Sequence, residues 1–168
     1  MKIDKAEKDR LADLIRESAD YLVHYGLVST ITTFEKYCES PIEILFGVAF
    51  DFLVTTISPG TLWNTCMNCR ISKWEIRPQF CWENYRIDFA ILTKLPYPIF
   101  IECDGHEFHE RTKEQAGRDR EKDRRIQAAG IPILRFTGSQ IHANPNKCAM
   151  EVYDFIKERL KQSQEKVA

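Results

Sequence analysis

Residues 97–136, YPIFIECDGHEFHERTKEQAGRDREKDRRIQAAGIPILRF, hold three patterns in succession. Tyr97 to Asp104 carries alternating apolar residues and predicts a strand. About Glu110 to Ala129 reads as a highly charged helix that stops at Gly130, a good C-terminal cap. Ile131 to Phe136 is a further strand. Strand, crossover helix and strand together favour a parallel pair joined by a right-handed crossover.

Working upstream, Lys73 to Trp82 and Tyr85 to Leu92 are two more strand signals, with Glu83-Asn84 as a tight hairpin turn. Lys94 to Pro98 separates the second of them from Tyr97–Asp104. Residues 58–72 read as a loop. Ser40-Pro41 opens a helix, a capping serine followed by proline in the first turn, which runs to about Ile57 and stops at Ser58-Pro59-Gly60. Being apolar almost all round, it should be buried. From Asp4 to about Tyr25, Leu11, Leu14, Ile15, Leu22 and Val23 recur at helical spacing. Downstream, Ala143 to about Lys161 forms a closing helix. The expected fold is a mixed β-sheet flanked by helices, an α/β domain.

The chain has 168 residues, which fits one domain with a real core. Its formal net charge is −1, so nucleic-acid binding would need a local basic patch rather than overall attraction. The charged start MKIDKAEKDR is unlike a signal peptide, and Ile42 to Ile57, the richest apolar run, is too short to span a membrane and contains Glu43 and Asp51. Six cysteines without a secretion signal read as reduced thiols. A soluble cytoplasmic protein is expected.

Glu102 and Asp104 point the same way from their strand, while Ile99, Ile101 and Cys103 point the other way. In the strand before, Asp88 should face away from Ile87, Phe89 and Ile91. Three acids can thus gather on one side of neighbouring strands. Unit charges about 4 Å apart repel by roughly 4 kcal/mol at an effective dielectric of about 20. A cation or a proton would relieve such a cluster. Hard oxygen ligands suit Mg²⁺ or Mn²⁺, which can acidify a water and stabilise charge on a phosphoryl oxygen. The plain alternative is a solvated acidic sheet face.

Asp88, thirteen residues, then Glu102-Cys103-Asp104 resembles the D…(D/E)-X-K signature of the PD-(D/E)XK nuclease superfamily. The strings IECDGHEFHE and RDREKDRRIQAAGIPILRF look closest to the branch with the very-short-patch-repair-like endonucleases. The resemblance covers about Pro41 to Phe136 and implies a restriction-endonuclease-like fold and metal-dependent hydrolysis of phosphodiester bonds in DNA. Asp88 and Glu102 would ligate Mg²⁺ or Mn²⁺, helped by the Cys103 carbonyl and Glu43. Asp104 stands where the superfamily has lysine, as the nearest branch permits, so the lysine's task falls to Lys122 or His109. His109 resembles the branch histidine, which could act as a general acid or bind phosphate; His106 matches less well. The division expected is an N-terminal helical extension at 1–39, a catalytic core at 40–136 and a C-terminal helix at 137–168.

Glu43 has a bland role as well, since Ser40-Pro41-Ile42-Glu43 is a capping-box pattern. Superfamily members often supply an acid from this helix, and Gly47 one turn on would leave room beside it. Gln79 shares the polar face of its strand with Glu75 and Arg77 and could contact a phosphate or a water. On the charged helix, with seven basic and five acidic residues, Arg118, Lys122 and Arg125 share one face. That face is a candidate phosphate track or an ordinary salt-bridged surface. Arg135 could support the site or close a salt bridge. Cys66-Met67-Asn68-Cys69, with Cys81, invites zinc but lacks a clear fourth ligand, so free thiols are the expectation. Trp63, Trp74 and Trp82 should pack on the sheet rather than stack on bases. Three functions remain to be separated: a nuclease, a nucleic-acid-binding module that has lost catalysis, and a small zinc-stabilised interaction domain. A homo-oligomer is compatible with the sequence.

Overall fold

Because Ser40 precedes a proline and an apolar run, a buried helix starts there, and the computed structural model contains it. The structure describes residues 27–57, 74–105 and 113–165. The expected helix at Asp4–Tyr25, Trp63, Cys66, Cys69, His106 and His109 lie outside the described residues. In chain order the elements are α1 (27–35), α2 (Pro41–Ile57), β1 (Glu75–Trp82), β2 (Tyr85–Leu92) and β3 (Ile99–Asp104). They continue with α3 (Lys113–Ala128), β4 (Ile133–Thr137), α4 (Gly138–Ala143) and α5 (Pro145–Glu165). The sheet runs β1-β2-β3-β4. β1–β2 and β2–β3 are antiparallel, and β3–β4 is parallel with Glu102 level with Arg135. This is the expected mixed sheet flanked by helices, with α3 as the crossover.

One face of the sheet carries most of the core. Phe46, Phe50 and Val54 of α2 are buried with Val152, Tyr153 and Ile156 of α5 against Phe89, Ile91, Ile99 and Ile101. The Phe46 ring sits 5.4 Å from that of Phe89 and 5.9 Å from that of Phe136. The other face holds a smaller cluster, Ile87, Ala90, Phe100 and Ile126, closed by Phe80 and Trp82. Trp74 packs on Tyr153 and Trp82 on Phe100, so both described tryptophans are spent on packing.

Two expectations are corrected. The closing helix is two helices, and Ala143 ends the first instead of starting the second. Thr137 and Gln140 form a reciprocal capping box that starts α4 directly after β4. Asn144 then breaks the chain: it precedes a proline, which disfavours helical geometry, and its Oδ1 accepts from the Lys147 amide to cap α5.

The second correction concerns alternation. Ile87 belongs to the cluster with Phe100 and Ile126, whereas Phe89 and Ile91 belong to the large core. β1 does the same: Ile76 joins the large core and Phe80 the small one. The register nevertheless continues unbroken, with Pro78 opposite Phe89 and Phe80 opposite Ile87. Neither strand has gained a residue. Both exchange faces at the rung that Gln79 and Asp88 would share, where Gln79 has φ 49°. Left-handed backbone costs a non-glycine residue about 1–2 kcal/mol.

Candidate active site

The exchange of faces leaves Asp88 at a place where β2 and β3 part. Their pairing ends at Phe89 opposite Ile101. Beyond it the Asp88 side chain fills the gap, its Oδ2 accepting from the Cys103 amide at 2.7 Å. Glu102, one residue before Cys103, is only 8% exposed. Its Oε1 accepts from Lys122 Nζ at 2.7 Å, and the same ammonium donates to the Arg86 carbonyl at 2.9 Å. α3 therefore places Lys122 on the acidic pair, with both partners of the ion pair largely buried.

Burial chiefly, then the charges of Glu102 and Glu43, push the Asp88 carboxyl up to about 7. The Cys103 amide and Lys122 pull the other way without cancelling this. The same surroundings raise nearby thiols. Cys38 goes to about 12 through burial, Glu43 and Asp88, and Cys103 is raised chiefly by burial. These sulfurs stay protonated, so the cluster offers hard oxygen rather than soft thiolate.

Glu43 reaches the cluster from the first turn of α2. Its Oε1 accepts from Ser40 Oγ at 2.6 Å and its Oε2 from the Glu39 amide at 3.0 Å. That is the expected capping role, with the bonded amide one residue earlier than the cap. Gln79 adds a bond from the edge strand, its Nε2 donating to Glu43 Oε2 at 2.7 Å. The Gln79 Oε1 is buried and has no partner among the described residues. Gly47 does not leave open space beside Glu43: a Cβ there would lie 2.7 Å from the Phe34 ring, so the glycine makes room for that ring.

Of the remaining candidates, Asp104 lies partly buried at the end of β3, level with Thr137. Arg118 is exposed one turn before Lys122. Arg125 is bound to Glu83 at 2.9 Å and Arg135 to Asp123, so both close salt bridges. Residues that were not among the site candidates also frame the site. Cys38 lies beside the acids, Arg86 lends its carbonyl to Lys122 and its guanidinium to Glu39, and Ser40 holds Glu43. Only Ser40 carried a signal, its place before Pro41.

The family REase_MTES_1575 matches residues 67–156, more than half of the chain, and the match contains Gln79, Asp88, Glu102, Asp104 and Lys122. The chain belongs to this restriction-endonuclease-like family. No curated protein and no solved structure matches it. A restriction-endonuclease-like domain is of nuclease type and implies a nucleic-acid substrate. Glu43 lies upstream of the matched segment, so its place in the site rests on geometry alone. No described helix is long and apolar enough to cross a membrane.

Restriction-endonuclease-like nucleases usually use divalent metals, and the donor set can be tested for one. Among the described residues no group of three side chains already forms a metal cage. Mg²⁺ does not require one, since it is commonly held by one or two carboxylates together with waters and substrate phosphate. Asp88 gives one oxygen to the Cys103 amide and Glu102 one to Lys122, which leaves each a second oxygen. Burial first, and then repulsion from Glu102 and Glu43, raise Asp88, and a cation would offset both. The residues fit a hard divalent ion with an incomplete protein shell.

Proposed function

We propose that this protein is a Mg²⁺- or Mn²⁺-dependent endonuclease that hydrolyses phosphodiester bonds in DNA. The observation that carries the reading is the Lys122–Glu102 ion pair beside Asp88, an ammonium delivered by α3 to an acidic pair on two strands. In this reading residues 40–136 form the catalytic core, 1–39 an N-terminal extension and 137–168 a helical buttress. The E-x-D-G string at 102–105 is our reason for reading the very-short-patch-repair-like branch and hence DNA. The cytoplasm is the expected setting.

Asp88, Glu102 and the Cys103 carbonyl would hold the ion, with Glu43 at its edge. The bound ion supplies a water of lowered pKa and draws charge from the phosphoryl oxygens. Lys122 offsets the negative charge of the pair and takes over the task of the superfamily lysine. Asp104 completes the acidic cluster or positions the attacking water. Arg118 holds the phosphate backbone one turn along α3, while Arg125 and Arg135 contribute only if they exchange their carboxylate partners for phosphate. His109 is the general acid or a further phosphate ligand.

The test is cleavage of labelled DNA and RNA substrates with Mg²⁺ or Mn²⁺ by wild type, Asp88→Ala and Glu102→Ala proteins. Cutting of DNA by wild type, with at least about a hundredfold loss in both variants, is expected. A fully active Asp88→Ala protein would sink the assignment. Asp104 at the position where the superfamily has lysine favours one rival: a nucleic-acid-binding module without catalysis. Salt-sensitive binding without cleavage, and no heat on titration with Mn²⁺, would select that rival.

A further inference from the structure

Gln79 is doubly unfavourable where it stands. Its backbone is left-handed in the middle of a strand, and its amide oxygen is buried without a partner among the described residues. Glycine would suit the first condition and any apolar residue the second, so neither explains a glutamine. The amide orientation follows from its neighbour: the Glu43 side chain accepts from Ser40 Oγ, the Glu39 amide and Gln79 Nε2, so Oε1 faces away. The unbroken register sets Gln79 opposite Asp88 across the β1–β2 ladder. The free oxygen is thereby turned from Glu43 beside the acids, where an ionised carboxylate cannot donate to it. Among the described residues no group donates to it, which leaves the place to a water or a bound molecule.

We propose that Gln79 is a positioning residue of the nuclease site, its amide nitrogen fixing Glu43 and its amide oxygen accepting a hydrogen bond from a water held between Glu43 and Asp88. This rests on the reading of the acidic cluster as a metal-dependent nuclease site. Strained backbone of this kind persists where the surroundings enforce it, and here it turns a side chain of the edge strand inward to two acids. In a hydrated divalent-ion site, the waters donate to acceptors such as this one, which fixes where each water stands.

Gln79→Gly and Gln79→Ala separate backbone from amide. Glycine adopts the left-handed conformation freely, so Gln79→Gly should melt at or above the wild-type temperature, and Gln79→Ala below it. Both variants should nevertheless bind Mn²⁺ about tenfold or more weakly by calorimetry, a loss of the size seen when groups supporting metal ligands are removed. In cleavage at saturating Mn²⁺ both should lose kcat with KM for DNA unchanged. The proposal is overturned if Gln79→Gly keeps wild-type Mn²⁺ affinity and kcat, or if the defects follow the melting temperatures. Loss of Mn²⁺ binding in Asp88→Ala, with none in Gln79→Gly, would sink this inference and leave the nuclease reading standing. Failure of wild type itself to bind Mn²⁺ or cut would remove both.

Discussion

The two faces of the sheet are built by different means. On the α2/α5 face, aromatic and branched side chains interlock in one large core around Phe46. On the α3 face Ile126 is the one buried apolar side chain among the described residues of a helix that is mostly charged or polar. That helix is tied down by polar contacts: Lys122 to Glu102, Arg125 to Glu83 and Arg135 to Asp123. The first face holds the fold, and the second is free to carry charge where the proposed chemistry needs it. The contrast predicts that damage to the first face should appear as lost stability, and damage to the second as lost activity.

The largest expected effect is on the apolar face. Phe46→Ala should lower stability by about 3–5 kcal/mol in denaturant titration, with Mn²⁺ affinity of the folded fraction retained. A change in affinity instead would break the division between faces. Asp51 sharpens it, being an acid buried in α2 on the apolar side. Burial pushes its carboxyl up to about 7, opposed by a hydrogen bond from Thr30. The folded protein therefore holds this proton more tightly than the unfolded chain does. Stability from this source is full below about pH 4 and is lost as pH rises to about 7, by up to roughly 4 kcal/mol. Asp51→Asn should flatten that slope, and thermal melts of the metal-free protein across this range would show it. Asp88 shifts in the same direction, so a residual slope that Mn²⁺ removes belongs to the site.

Lys122→Ala should cost about 3 kcal/mol without metal, because Glu102 is left buried and unpaired. Added Mn²⁺ should restore much of the stability, while cleavage stays about a hundredfold down. A variant that is destabilised equally with and without Mn²⁺ would mean that the ion pair serves the fold alone. Arg125→Ala should be the mildest, with a melting temperature close to that of wild type, since its ion pair with Glu83 is exposed.

Periodicity and turn chemistry made the strands, the crossover and α2 legible in the sequence. Gly130 ends α3 with φ 66°, as its position after a charged helix foretold. The break at Asn144-Pro145 also had local signals, and the single closing helix overlooked them. The exchange of faces at Gln79 and Asp88 had only Pro78 beside it, which marks an edge or an irregularity without saying which way the chain turns. Strict alternation is the only rule that a strand pattern offers, and glutamine does not mark a left-handed residue as glycine would. The acids and Lys122 were legible as candidates, the acids through their motif and Lys122 through helical spacing. The bond between Gln79 and Glu43 joins residues 36 apart through tertiary packing, so no local pattern encodes it.

The manner in which α3 is fastened bears on how binding data should be read. Added salt weakens exposed ion pairs such as Arg125–Glu83 as well as contacts between arginine and phosphate. The slope of log affinity against log salt is ordinarily divided by a constant to count neutralised phosphates. For this protein that quotient would include loosening of the helix itself, and the count would come out too high. Repeating the titration with Glu83→Gln, which loosens that tie while keeping every basic residue, would give the correction.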